Sequence, residues 1–219
     1  FPLSSAKDSH RHFPLLPVDG DMVNYNSYEE AKDVAEAELL EEVRKGFAQF
    51  FESKEAMEAA LGRCHPSRMA AIVKAKGAEM KVRLIHDLRR SGINEMVQVE
   101  ERIILPRVSD VVEDVLRVIR RHPGAEVELF VTDFSDAFKQ LEVAEDEQRF
   151  LTGCSSGVWF AFKALPFGIV SGPLLWGRTA ALIMRLTQAC LPAASAALEC
   201  YVDDPILTTG CLLYTSPSP

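Results

Sequence analysis

The sequence predicts an α+β fold built on antiparallel sheet. Strand-like runs come in adjacent pairs joined by short turns, the pattern of hairpins. The pairs are residues 68–75 with 80–87 around Gly77, residues 148–154 with 158–164 around Ser155-Ser156-Gly157, and residues 197–201 with 206–209 around Asp203-Asp204. Helical runs stand between these pairs instead of alternating with single strands, so a parallel sheet is not expected. Three acids, Asp133, Asp203 and Asp204, fall at strand ends and therefore at one edge of the sheet.

The elements follow in order. Residues 1–26 carry Pro, Ser, His and Asp without periodicity and read as an arm or linker. Ser27-Tyr28-Glu29-Glu30 has the capping-box spacing, and a long amphipathic helix is expected from there to about Phe51. Ser53 can cap a short helix that ends at Leu61-Gly62. Ser109 starts a helix whose Val111, Val112, Val115, Leu116, Val118 and Ile119 recur at helical spacing, with Arg120, Arg121 and His122 suited to its C-terminal dipole and Pro123-Gly124 ending it. Val127, Leu129, Val131 and Asp133 alternate along one face of a strand. Residues 172–190 form a helix with Pro173 near its start. The strand ending at Tyr201-Val202 turns at Asp203-Asp204, and Ile206-Leu207-Thr208-Thr209 returns. Pro205 cannot donate in a ladder, so the return strand must begin past it or tolerate it at an edge.

The chain has 219 residues, 47% hydrophobic and 26% charged, enough for one large or two small domains. No run of eighteen apolar residues occurs, so no membrane span is expected. The start (Phe1-Pro2-Leu3) lacks an initiator Met and a leader and reads as internal to a longer chain. Five scattered cysteines without a C-x-x-C pair fit reduced thiols in an intracellular compartment and no zinc site. The tail 211–219 ends in a Ser/Pro run, reads as unstructured, and resembles adaptor-derived translation of non-native origin. Net charge is −8, against simple nucleic-acid adhesion. The charge is uneven: residues 27–60 hold ten acids against four bases, whereas residues 63–90 hold eight bases against Glu79 and Asp87. A basic face there could take phosphates, and a solvated surface accounts for the same pattern.

Paired acids at a strand end repel one another and lose hydration when buried. A divalent cation between them removes the conflict. Asp133, seventy residues earlier, supplies a third carboxylate, and three carboxylates with Mg²⁺ would make a phosphoryl-transfer site.

Four blocks in order over residues 70–210 resemble the reverse transcriptases of retroelements. The first is Lys81-Val82-Arg83-Leu84-Ile85-His86-Asp87-Leu88-Arg89 with Asn94 after it, similar to the fingers hairpin that holds the incoming triphosphate. Arg83 matches the family Arg, and Lys76 the Lys, with Lys74 as the alternative; solubilising an exposed hairpin is the plain reading of these lysines. The second is Asp133-Phe134-Ser135-Asp136-Ala137-Phe138. The resemblance makes Asp133 a ligand of both metal ions, assisted by the Phe134 carbonyl. It gives the turn through Ser135 and Ala137 to the triphosphate. It makes Phe138 the aromatic that excludes a 2′-hydroxyl, although a core aromatic explains the residue too. Asp136 fits a helix cap better than a ligand.

The third block, Leu165-Pro166-Phe167-Gly168 with Ser171-Gly172-Pro173, resembles the segment beneath the nascent base pair, in its gypsy-class form with Phe167 where other members have Gln. Gly168 would let backbone approach the nucleotide. Arg178 and Arg185 share a helix face that could meet template, and a surface role is as good. The fourth, Tyr201-Val202-Asp203-Asp204, has the Tyr head of reverse transcriptases; Asp203 is the second shared ligand and Asp204 the weaker one. Tyr201 would lie toward template or primer.

The resemblance implies a right-hand polymerase fragment, with fingers at residues 27–108 and 141–166 and palm at 109–140 and 167–210. It implies RNA-directed DNA polymerase activity: two-metal nucleotidyl transfer from dNTP to a primer 3′-hydroxyl on an RNA or DNA template, with two Mg²⁺ ions that Mn²⁺ could replace. Thumb, RNase H and integrase would be further polyprotein domains, and without a thumb the isolated chain is expected to extend primers poorly. The alternative is a catalytically inactive remnant or nucleic-acid-binding module. An RNA-synthesising polymerase with the same palm is a third reading, against which Phe138 counts.

Overall fold

The computed structural model describes residues 22–76, 79–191 and 196–210. Expectations placed on residues 1–21, on Gly77, on the side chain of Lys76 and on the tail 211–219 lie outside the described residues. In chain order the elements are α1 (Asn26–Glu29), α2 (Lys32–Arg44), β1 (Ala48–Phe51), α3 (Lys54–Leu61), β2 (Met69–Lys76), β3 (Glu79–His86) and α4 (Ile93–Met96). There follow α5 (Val108–Arg121), β4 (Val127–Val131), 3₁₀ turns at Ala137–Gln140 and Glu145–Phe150, β5 (Thr152–Ser155), β6 (Val158–Phe162), α6 (Gly172–Cys190), β7 (Ala196–Tyr201) and β8 (Asp204–Gly210). The fold is α+β, and every strand ladder is antiparallel. The chain divides into two compact units, residues 1–100 with 138–172 and residues 101–137 with 173–219. Among the described residues no helix is long and apolar enough to cross a membrane.

The first unit holds the sheet β1-β6-β5 and the hairpin β2-β3. Where one helix to about Phe51 is expected, there are two helices and a strand. Ser27 does not cap; Tyr25 takes the N-cap position of α1, without a side-chain bond. Gly46, at φ +81, turns the chain after α2. The aromatic run that follows is β-prone, and β1 pairs Ala48 with Phe162 and Phe51 with Trp159. The start of the unit is firmer than an arm: the Asn24 side chain donates to Cys154 O (2.9 Å) and accepts from Met69 N (2.9 Å). Other local signals hold. Ser53 Oγ accepts from Ala56 N at 3.1 Å, and Gly62 ends α3 at φ +81. The β5–β6 hairpin starts later than expected, at Thr152, because residues 145–150 wind into a 3₁₀ turn.

The core of this unit contains an unusual histidine. His86 is fully buried, between the edges of Phe160 and Phe162. Neither ring nitrogen has a hydrogen-bond partner. Burial, reinforced by the nearby Lys139 ammonium, pushes its pKa down to about 3 from 6.5. The unfolded chain takes up a proton near pH 6.5 that the folded chain refuses until about pH 3. Its stability contribution is therefore complete above 6.5 and falls as pH drops, by up to ~1.4 kcal/mol per pH unit. Urea denaturation across that range should show this slope in the wild type and a flatter one in His86→Phe; parallel slopes would contradict it.

The second unit is the sheet β4-β8-β7 with α5 and α6. The α5 helix starts one residue before Ser109, with the Asp110 carboxylate accepting from Arg107 N at 2.6 Å. It packs closely on β8: a Cβ on Gly210 would lie 3.0 Å from Val118 Cγ1. β4 stops at Val131, two residues before Asp133. Pro205 is neither before the strand nor on an edge. It is the second residue of the central strand, opposite Cys200. It is tolerated because β4 has ended there: its ladder with β8 closes at Val131–Ile206, and beyond it Pro205 need only accept, from Thr132 N at 3.0 Å.

Candidate metal centre and nucleotide-handling residues

The β7–β8 hairpin turns through Val202 and Asp203, with Tyr201 paired to Asp204. The sequence places the turn one residue later. Val202 sits at φ +61, a left-handed conformation rare for a β-branched residue and worth roughly 1–3 kcal/mol of strain. The surroundings hold it there. Trp176 Nε1 donates to Val202 O at 2.9 Å, and the Cys200 thiol lies 3.5 Å from the same oxygen. Phe134 N donates to Asp203 O at 2.8 Å, which ties the segment after β4 to the hairpin tip. The Phe134 ring meets the Trp176 indole edge-on, centroids 5.2 Å apart. Trp176 itself is buried, so its N–H needs an acceptor, and the strained peptide supplies one.

This scaffold brings the three sequence-predicted acids together. Carboxylate oxygens of Asp133, Asp203 and Asp204 all lie within 4.8 Å of one another, Asp133 exposed and the other two half-buried. The negative field is felt locally: burial first, then Asp203 and Asp204, push the Cys200 thiol above its ordinary value. Three hard oxygen ligands at this spacing, partly open to solvent, fit a divalent cation such as Mg²⁺.

Several other predicted residues meet within the first unit. The Arg83 guanidinium lies 4.9 Å from the centroid of the Phe167 ring. The Phe138 and Phe167 rings are 5.5 Å apart and tilted. Gly168, at φ +114, is a position only glycine fits: a Cβ there would stand 2.1 Å from the His86 carbonyl oxygen. The close approach the structure records at Gly168 is thus to β3. Lys74 pairs with Lys81 across the hairpin, and both side chains are exposed; Lys76 pairs with Glu79 in backbone register.

The remaining predictions are placed more plainly. Ser135 is exposed, Ala137 is buried, and Asp136 stands at φ +53 just before the 3₁₀ turn. Tyr201 is exposed at the end of β7. Arg178 forms an ion pair with Glu101, and with Arg185 it lines a cavity of about 520 Å³ floored by Leu198, Cys200 and Val202. Sequence reasoning missed Trp176, because nothing local says that a helix Trp will reach a hairpin 26 residues away. It also gave no role to the side chain of Asn94, which hydrogen-bonds the segment after Phe167.

No protein-family model matches the chain, and no curated protein matches it in sequence. Solved structures do match. One is the prototype foamy virus protease-reverse transcriptase (a CSH mutant), at 14% identity and a TM-score of 0.58 over 85% of this chain and 21% of that one. Another is the foamy viral protease-reverse transcriptase dRH in complex with double-stranded DNA, at 16% identity and a TM-score of 0.59 over 89% of this chain and 28% of that one. The chain therefore spans between a fifth and a third of the solved chains it resembles. At this identity the likeness establishes the fold alone: an α+β fold like that of these solved reverse transcriptases.

Proposed function

We propose that this chain carries the fingers and palm of a retroelement RNA-directed DNA polymerase, gypsy-like in Leu165-Pro166-Phe167-Gly168. The observation that supports it most is the convergence of Asp133 with Asp203 and Asp204, from segments seventy residues apart, in a fold shared with reverse transcriptases. The first unit holds most of the residues assigned to the fingers, and the second most of those assigned to the palm.

Asp133, Asp203, Asp204 and the Phe134 carbonyl would hold two Mg²⁺ ions, or Mn²⁺ in their place. Held by these residues, such ions would supply Lewis-acid activation of a primer 3′-hydroxyl and charge neutralisation for a leaving pyrophosphate. The chain's own groups then have distinct roles. Arg83 offers a permanently charged fork to the triphosphate, and Lys76 or Lys74 a mobile point charge. Backbone N–H groups at Ser135 and Ala137 would meet phosphate oxygens. Phe138 would stand where a ribose 2′-hydroxyl projects, so that dNTP is taken and NTP refused, with Phe167 and Gly168 completing the floor. Tyr201 and Arg178 would face template or primer, Arg178 only after leaving Glu101. Positioning and charge neutralisation supply the catalysis. The thiols of Cys64, Cys154, Cys190 and Cys200, none of them in a disulfide among the described residues, suit a reducing intracellular compartment.

The test is Mg²⁺-dependent dTTP incorporation, expected to be weak, on an RNA template with a DNA primer. Incorporation that disappears in Asp133→Asn supports the reading, and incorporation that survives it refutes the assignment. A net charge of −8, adverse to a firm grip on template, favours a second reading, a catalytically inactive remnant. No incorporation, and no Mg²⁺-dependent difference between wild type and Asp133→Asn, would select that one.

A further inference from the structure

The segment after Phe167 is held by a side chain outside the assigned site. Asn94 Nδ2 donates to Gly168 O at 2.8 Å, and Asn94 Oδ1 accepts from Val170 N at 3.0 Å. The two bonds straddle Ile169, which is buried. Asn94 is itself well fixed. Its backbone N–H donates to Leu88 O at 2.9 Å, and its neighbours Ile93 and Leu88 are fully buried. On the other side of Gly168, His86 N donates to Phe167 O at 3.2 Å. A glycine visits positive and negative φ with similar ease, so Gly168 is the natural hinge of this segment. With Phe167 hooked to β3 and residues 168–170 hooked to Asn94, that hinge is held at φ +114.

We propose that Asn94 is a positioning residue for sugar selection. By fixing the Gly168 hinge it keeps the Phe167 ring against Arg83 and Phe138, and so keeps Phe138 where it can reject a 2′-hydroxyl. The inference rests on the polymerase reading for the identity of the ligand. It rests on the hydrogen bonds alone for the clamp. Asn suits this position because its carboxamide donates and accepts at once and carries no charge, so the clamp holds whatever the ionic strength. Aspartate could still accept from Val170 N but could not donate to Gly168 O.

Two measurements on the 219-residue chain test this in wild type, Asn94→Ala and Asn94→Asp. The first is amide hydrogen exchange. Val170 should exchange about tenfold faster in Asn94→Ala, the equivalent of one lost hydrogen bond. It should stay protected in Asn94→Asp, and the β2–β3 amides should not change in either. The second is NMR titration with dUTP and UTP in the presence of Mg²⁺, two ligands that differ only in the 2′-hydroxyl. Wild type should prefer dUTP. Asn94→Ala should lose most of that preference, about fivefold or more, while its dUTP affinity falls little; Asn94→Asp should lie between.

Unchanged Val170 exchange in Asn94→Ala overturns the clamp. Faster exchange with an intact dUTP preference overturns the positioning role and leaves the polymerase reading standing. A wild type that binds neither nucleotide, or binds both alike, overturns the nucleotide assignment itself and the inference with it.

Discussion

Asp203→Asn is expected to reduce Mn²⁺ affinity more than ~100-fold, a loss above that usual for mutating a group that merely supports a ligand. Isothermal calorimetry on the wild type and the variant reads it directly. The reason is geometric as well as electrostatic. Asp203 stands at the turn, and its backbone oxygen accepts from Phe134 N, which ties it to the segment that carries Asp133. Removing it leaves two carboxylates where the cation needs three, and cuts the local charge by one. The same substitution relieves repulsion among acids whose oxygens lie within 4.8 Å. The metal-free variant should therefore melt no lower than the wild type. That combination, weaker binding without weaker folding, separates a ligand from a structural residue. Equal Mn²⁺ affinities would refute the metal centre.

Gly168→Ala should have the largest effect on stability, about 3 kcal/mol or more, read from urea denaturation of the full chain. Two penalties add. A side chain at φ +114 is strained whatever surrounds it, and here the added carbon meets the His86 carbonyl oxygen at 2.1 Å. That oxygen has little room to retreat, since His86 closes the β2–β3 ladder opposite Met69 and its ring is buried. Gly157→Ala is the control. It has a similar positive φ of +77 but nothing within 4 Å of the new carbon, so it should cost only about 1 kcal/mol. If the two variants lose the same stability, the clash is not the cause.

The sequence spoke most clearly where a single residue type enforces a local geometry. Ser53 and Gly62 bracket α3, and Pro173 opens α6. The acids were legible for the opposite reason. Asp133, Asp203 and Asp204 violate what a strand end prefers, and such violations mark sites. What was hidden was non-local. The run Ala48–Phe51 can be read at helical spacing, and only pairing with β6 makes it a strand. Val202 is the last residue local turn chemistry would place at positive φ; Trp176, from another element, stabilises it there. Asn94 looks like an ordinary loop polar residue until residues 168–170 fold back onto it. Arg178 was expected at a surface or on template, and its pairing with Glu101 depends on a segment far away in sequence.

The order of the sheet β4-β8-β7 also bears on how the chain is made. β4 is synthesised early in its unit, yet its only ladder partner among the described strands is β8, with Val127 waiting for Gly210. A ribosome must release β8 before the strand beside Asp133 can pair at all. Until then, the half-exposed Leu129, Phe130 and Val131 are an unpaired apolar edge, open to chaperones or to misassociation with other nascent chains. Long-range closure of this kind folds slowly. The three acids therefore come together only once β8 has been made, so a product interrupted before it would fold much of its first unit and carry Asp133 without the partners that give it a use.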